Sequence, residues 1–344
     1  MSAPAPALAP FIAPREAARK PWRVLILADA PEVDRSAYHL AQRLRSRQWQ
    51  VTVTSAPPAP LLKSERPHIL HCHAPQIAFH PRTLAALLRV PVRITTLPAG
   101  KGAFCRLLEW LSDASIAAGP EQMRAGGKRA MIRPGIDLSR FRRDGQLRRR
   151  TREALGLGAC FAWLSAAPLR PPEDHHGLIR AFARVAAQRR DAVLLLAGDG
   201  ALRGELEELA ASLNLAPRVR FLGARSDMPA LMNAADACVS ASRAAALPSV
   251  LLEAGAARLP LVATDAPAAA SVLAHGVSGL AAPPANPEAL ADTMLHLMTL
   301  PDPEREQLAA NAFAHVSRHH DLEKIAGQWE RLYEALLAGK RIRP

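Results

Sequence analysis

Aromatic residues make up 4% of the 344-residue chain, with two tyrosines in all. Proteins that grip single-stranded nucleic acid combine a basic groove with stacking aromatics, so this scarcity argues against a nucleic-acid partner. Cysteine is equally sparse. Cys72, Cys105, Cys160 and Cys238 are scattered, and no two stand at a metal-ligand or disulfide-framework spacing. A reducing cytoplasm is therefore the expected compartment. No apolar run approaches the ~18–20 residues of a membrane-crossing helix. Between Ser2 and Pro14 the chain is mostly Ala and Pro, with no basic n-region and with prolines interrupting any apolar core. Residues 1–20 read as a disordered lead-in and not as a signal peptide. Neither a Ser-His-Asp arrangement nor a Walker loop is legible.

What the chain does have is apolar bulk and positive charge. At 49% hydrophobic residues it can build the cores of two ordinary domains. The net charge of +13 is lopsided: residues 1–152 hold 26 Lys and Arg against 10 Asp and Glu, whereas the remainder is slightly acidic. An excess confined to one half has two readings. One is an anionic membrane surface as partner of the N-terminal half, with the protein peripheral at the inner face of the membrane. The other is a compositional bias toward Arg and Ala with no partner behind it.

Apolar, β-branched runs alternate with helical patterns along the chain. Strands are predicted at Trp22–Ala30, Val51–Val53, Ile69–His73 and Val90–Thr96, with helices at Ser36–Gln48 and through Leu84–Leu88, and the stretches Asp113–Ala118 and Met131–Asp137 close the first half. A basic stretch, Arg142–Arg152, marks the expected linker. The pattern then restarts with strands at Phe161–Ala166, Val193–Ala197, Val219–Gly223, Ala237–Ser240 and Leu261–Thr264, separated by helices. A last helical segment, Phe313–Leu337, places Trp329, Leu332 and Leu336 on one face, with Leu337 beside them. The expected fold is α/β, with two doubly wound, Rossmann-like domains facing a central cleft. The expected domains are 21–145 and 153–312, followed by 313–344. His71 and His73 alternate on one strand and share a face. The functional readings are an acceptor contact or a metal pair; a metal would need a third ligand, and none is evident, which favours two partly buried imidazoles. The pairs His175-His176 and His319-His320 sit in polar surroundings and are expected at the surface.

The segment from Ser242 through Leu247-Pro248-Ser249-Val250-Leu251-Leu252-Glu253-Ala254 resembles the donor-site segment of the retaining glycosyltransferases of family 4, which have the GT-B fold. That family usually reads Ser-x-x-Glu-Gly-Phe-Pro-x-x-Leu-Leu-Glu-Ala there. The stretches Arg133–Phe141, Ala197–Arg203, Val219–Gly223 and Leu259–Asp265 are similar to the family's segments in the same order. The resemblance implies a nucleotide sugar as donor, a glycolipid or polysaccharide acceptor at the membrane surface, and no metal or other cofactor. It also implies that 21–145 is the acceptor-side domain, that 153–312 is the nucleotide-sugar domain, and that the last helix, in 313–344, crosses back to the N-terminal domain. Several positions depart from the family. Ala245 stands for the first glutamate and Ala246 for the glycine after it. Pro168 and Glu173 stand for the Arg and Lys that grip the donor phosphates. Pro98 stands for a histidine, Pro267-Ala268 for a later Gly-Gly turn, and Pro31 for the N-terminal glycine loop. A carboxylate near a diphosphate repels it, and a proline has no N–H to offer. Arg170 or Arg180 could supply the lost cation.

What remains for a nucleotide sugar is Glu253 toward ribose hydroxyls, the backbone N–H groups of Ser249, Val250 and Leu251, Gly198, and the stretch from Gly223 to Asp227, with Arg225, beside the base. Glu253 has a structural alternative as a carboxylate near a helix N-terminus, and Arg225 has one as a solvated surface charge. Two functions follow: a working transferase, or an inactive relative that serves as binding or regulatory partner of an active one.

Overall fold

The computed structural model describes residues 21–28, 35–47, 49–56, 58–73, 89–96, 110–118, 129–243, 249–266 and 269–342. Pro31, Pro98, Ala245, Ala246, Pro267, Ala268 and the helix expected through Leu84–Leu88 lie outside the described residues.

The first sheet is built from β1 (Arg23–Leu27), β2 (Gln50–Thr54), β3 (Ile69–Cys72), β4 (Val92–Thr96), β5 (Ala114–Ala117) and β6 (Arg129–Met131), in the order β2-β1-β3-β4-β5-β6. Every pairing is parallel; Val24 lies beside Val51 on one side and Ile69 on the other. Strands covered on both faces need continuous apolar runs, and β1 has one: Val24 through Leu27 are all buried. The second sheet holds β7 (Phe161–Ala166), β8 (Ala192–Ala197), β9 (Val219–Gly223), β10 (Ala237–Ser240), β11 (Leu261–Thr264) and β12 (Leu280–Ala282). Its order is β12-β11-β10-β7-β8-β9, again fully parallel. This is the doubly wound arrangement the alternation predicts.

Helices α1 (Arg35–Arg45) and α2 (Ala59–Glu65) pack on opposite faces of the first sheet. The second sheet is covered by α3 (Gly145–Ala154), α4 (His175–Gln188), α5 (Arg203–Ser212), α6 (Met228–Ala234), α7 (Ser249–Ala256), α8 (Pro287–Thr299) and α9 (Asp302–His319). The linker expected at Arg142–Arg152 is instead mostly α3, docked on α6. Asp144 caps it through the N–H groups of Gln146 and Leu147. Arg148 and Arg152 fork onto Asp236 at 2.5 and 3.0 Å, and Asp236 also accepts the N–H of Ala162. Polar composition suggested a linker because the partner carboxylate lies far along the chain. These arginines were counted with the first half, yet they belong to the second domain.

The segment expected as one helix over Phe313–Leu337 is two. The chain leaves α9 at His320, and Asp321 caps α10 (Leu322–Gly339) by accepting the N–H of Glu323. The break is held from outside. Ile136 donates to the His320 carbonyl at 2.7 Å, and Leu322 donates to the Ile136 carbonyl at 3.0 Å. Gly135 lies against Leu322 so closely that a Cβ there would stand 3.1 Å from the Leu322 Cα. The two chain passages between the sheets are thus zipped side by side.

From this break α10 runs across the first sheet. Its buried face is Ile325, Trp329, Tyr333 and Leu337, at i, i+4 spacing, and Leu332 and Leu336 are only partly buried. Tyr333 completes a stripe that the leucines alone misplace by about one residue. Arg47 on the α1 side reaches Glu323 and Glu330, both at 2.6 Å, so part of the N-terminal positive charge is neutralised by this helix. His71 is fully buried under α10, with Nδ1 2.6 Å from the Tyr333 hydroxyl and Nε2 3.0 Å from Thr96 Oγ1. Its imidazole is held well below the usual histidine pKa by burial and then by His73. Tyr333→Phe leaves one ring nitrogen buried without its partner. The expected loss is about 1–3 kcal/mol in urea denaturation; a variant of wild-type stability would refute the contact.

Candidate functional site

In a doubly wound sheet the ligand crevice opens at the carboxyl ends of the strands where the winding direction reverses. Here β7, β8 and β9 run outward one way, and the chain then returns to place β10 on the other side of β7. The crevice therefore lies between the segments that leave β7 and β10.

The segment after β7 is pinned to the one after β8. Leu169 donates to Asp199 at 3.0 Å, Leu202 donates back to Leu169 at 3.1 Å, and Leu169 itself is buried. Two glycines permit this approach. A Cβ on Gly198 would stand 2.0 Å from the Ala167 carbonyl oxygen, and one on Gly200 would stand 2.4 Å from that of Leu169. The Gly198 N–H is taken by the Gly223 carbonyl at 2.8 Å. The geometry therefore gives Gly198 a packing role. Gly223, at φ +70°, ends β9 in the left-handed region that glycine favours.

Past Leu169 the chain makes a 3-10 turn, Pro171–Glu173, and Asp174 caps α4 by accepting the N–H of Gly177. His175 opens α4 and was expected at the surface. It is buried, with Nε2 3.1 Å from the Pro168 carbonyl, and burial lowers its pKa. The segment after β10 meets this turn. Thr264 holds the Ser242 carbonyl at 2.7 Å, and the Arg243 N–H donates to Pro172 at 2.9 Å.

Four charges converge here. Arg170 Nε lies 3.8 Å from Glu173, and Arg243 Nε lies 3.5 Å from Asp174. Glu173 is 8% exposed, whereas the two guanidinium side chains are about half exposed. Arg180, the other cation weighed from sequence, is on the exposed face of α4. Arg243 carried no role in the sequence reading. The signal was available, because it follows the strand at the winding reversal.

Glu253 is 5% exposed within α7, and its charge adds to the burial that raises the Cys238 thiol pKa. Val250 and Leu251 bury their side chains and Ser249 is exposed, so Val250 and Leu251 can offer a ligand only backbone. Arg225 forks onto both oxygens of Asp227 at 2.8 and 2.6 Å, an ion pair within one turn that stays partly exposed to solvent.

Residues 161–315 match the family model described as glycosyl transferases group 1. The match covers most of the second sheet and its helices. Over 161 residues the chain is 32% identical to an alpha-D-kanosaminyltransferase of Streptomyces kanamyceticus, covering 46% of this chain and 41% of that protein. It is 31% identical over 221 residues to a GDP-mannose-dependent alpha-(1-6)-phosphatidylinositol monomannoside mannosyltransferase of Mycolicibacterium smegmatis, covering 60% and 56%. The chain spans about half the length of the curated relatives it matches. The fold as a whole is similar to Anabaena Alr3699/HepE in complex with UDP and glucose, with a TM-score of 0.78 at 21% identity over 91% of this chain and 100% of that one. Sucrose-phosphate synthase from Thermosynechococcus elongatus has the same TM-score at 18% identity, over 92% and 100%. The fold is thus GT-B-like across both sheets. No helix among the described residues is long and apolar enough to cross a membrane.

Proposed function

We propose that the protein is a glycosyltransferase that holds a nucleotide sugar between the segments after β7 and β10 and passes its hexosyl group to a glycolipid or polysaccharide acceptor at a membrane surface. The observation that carries this reading is the pair Arg170 and Arg243, two half-exposed guanidinium groups at the winding reversal. A breaking glycosyl bond leaves negative charge on the diphosphate, and fixed cations there stabilise it. In this reading Arg170 and Arg243 take over from the Arg and Lys whose positions hold Pro168 and Glu173. Glu253 holds the ribose, and the N–H groups of Ser249, Val250 and Leu251 face phosphate. Similarity to a protein that binds UDP and glucose and to a GDP-mannose-dependent mannosyltransferase sets the donors to test.

One observation favours a second reading, an inactive partner of a working transferase. Both guanidinium groups already face a carboxylate, Glu173 or Asp174, so an arriving diphosphate meets a nearly neutral cluster. Losing one transition-state contact costs about 10²–10³ in rate.

Calorimetric titration with UDP-, GDP- and ADP-sugars separates the readings. The transferase reading expects micromolar binding of one donor, slow hydrolysis of it, and weaker binding in Glu253→Ala and Arg243→Ala. Binding without turnover supports the inactive partner, and no heat with any donor removes the nucleotide-sugar site altogether.

A further inference from the structure

We infer that a hollow at the far end of α7 from the donor crevice is a second binding site, one that takes a phosphate group. The hollow has a volume of about 280 Å³ and lies where the Leu138–Phe141 turn crosses the end of α7 and the side of α9. Ser139, Arg142, Arg143, Arg258 and Phe313 line it, with Leu138 and Ala256 completing the wall. Among the described residues, three guanidinium groups and no carboxylate face this space. Seven helical steps of ~1.5 Å separate Ser249 from Ala256, so the hollow stands about 10 Å from the crevice end of the helix.

The basic groups are held in place from behind. Buried Asn233 takes the Arg142 carbonyl at 3.2 Å and the Asp144 N–H at 2.8 Å, which fixes the backbone carrying Arg142 and Arg143. Arg143 Nη2 donates to the Arg258 carbonyl. Arg258 stacks on Phe313, with its guanidinium carbon 4.2 Å from the ring centroid. Stacking uses the flat face of a guanidinium and leaves its in-plane N–H donors available, the fork that fits phosphate oxygens.

The acids nearest in sequence are engaged elsewhere. Asp137 accepts from the Ser139 N–H and hydroxyl, and Asp144 from the N–H groups of Gln146 and Leu147. Among the described residues no carboxylate pairs with Arg142, Arg143 or Arg258. Three like charges gathered without a counter-ion repel one another, and a bound phosphate anion relieves that repulsion.

The shared chemistry is a phosphate with at least two free oxygens. Its source is either a soluble phosphorylated molecule or the headgroup of an acidic lipid, and the test separates them. The Arg142 side chain makes no hydrogen bond among the described residues, so Arg142→Gln and Arg142→Glu change charge without disturbing packing. Inorganic pyrophosphate is titrated into the full chain at low salt, and sedimentation is followed with vesicles of phosphatidylglycerol or of phosphatidylcholine. Pyrophosphate binding is expected to weaken about tenfold in Arg142→Gln and to vanish in Arg142→Glu/Arg258→Ala. Arg180→Ala, on the exposed face of α4 and outside both sites, should leave this binding in place. Sedimentation with phosphatidylglycerol alone, lost in the same variants, assigns the site to a headgroup; pyrophosphate binding without sedimentation assigns it to a soluble ligand. No binding of either probe, or binding unchanged by the Arg142 and Arg258 variants, overturns the site.

Discussion

Glu173→Lys is expected to tighten nucleotide-sugar binding about tenfold to a hundredfold, or about 1.4–2.8 kcal/mol. The reason is the charge cluster after β7. Glu173 is nearly excluded from solvent and sits 3.8 Å from Arg170, so it cancels much of the field that Arg170 would place on a diphosphate. Like charges ~6 Å apart at an effective dielectric of ~20 repel by about 3 kcal/mol. Changing the sign at this position removes that repulsion and frees Arg170. Some of the gain is lost in desolvating a lysine ammonium. Glu173→Gln removes the repulsion without adding attraction and should fall between the two. Donor titration against all three proteins reads the series, with thermal unfolding to check that the 3-10 turn survives. An order in which the glutamate form binds most tightly would show that Glu173 contacts the donor itself, and the neutral-cluster argument would fail.

The fold was largely legible because the physics that makes it is local. Short, continuous apolar runs such as Val24–Leu27 and Ala192–Ala197 suit strands buried on both faces, and their alternation with helices points to parallel winding. The misreadings share one cause, a partner remote in sequence. Arg148 and Arg152 look like linker until Asp236, more than 80 residues later, is placed against them. His320 looks exposed until Pro134 and Ile136 arrive from the other chain passage. His175 looks exposed until the Pro168 carbonyl turns toward it. The site divides the same way. The glycines and Glu253 were legible as a pattern, but the pairing of Arg243 with Asp174 depends on two strands that only the sheet order makes neighbours.

Those buried histidines make acid stability a second large effect. The chain is expected to lose about 3 kcal/mol or more of unfolding free energy between pH 6.5 and pH 4. His320 is 1% exposed and its pKa is lowered to about 4, first by burial, against the pull of the Pro134 carbonyl, and further by His315, Arg133 and His319. Burial also lowers His71 and His175. Above the unfolded value near 6.5 each of these rings is neutral in both states and pH has no leverage through it. Below 6.5 the unfolded chain binds a proton that the folded chain refuses, so stability falls as pH falls. For His320 the loss stops near pH 4, where the folded ring also protonates. A gap of about 2.5 pKa units corresponds to about 3 kcal/mol. The location sharpens the test. The His320 Nδ1 proton goes to the Pro134 carbonyl at 2.9 Å, within the paired passages that join the two sheets. His320→Asn keeps a donor of similar reach and cannot titrate. Urea denaturation at pH 7 and pH 4.5 should therefore show a smaller pH-dependent loss in the variant than in the parent, by about 2–3 kcal/mol. Equal losses in the two proteins would place the acid sensitivity outside the crossing and refute the burial of the His320 ring.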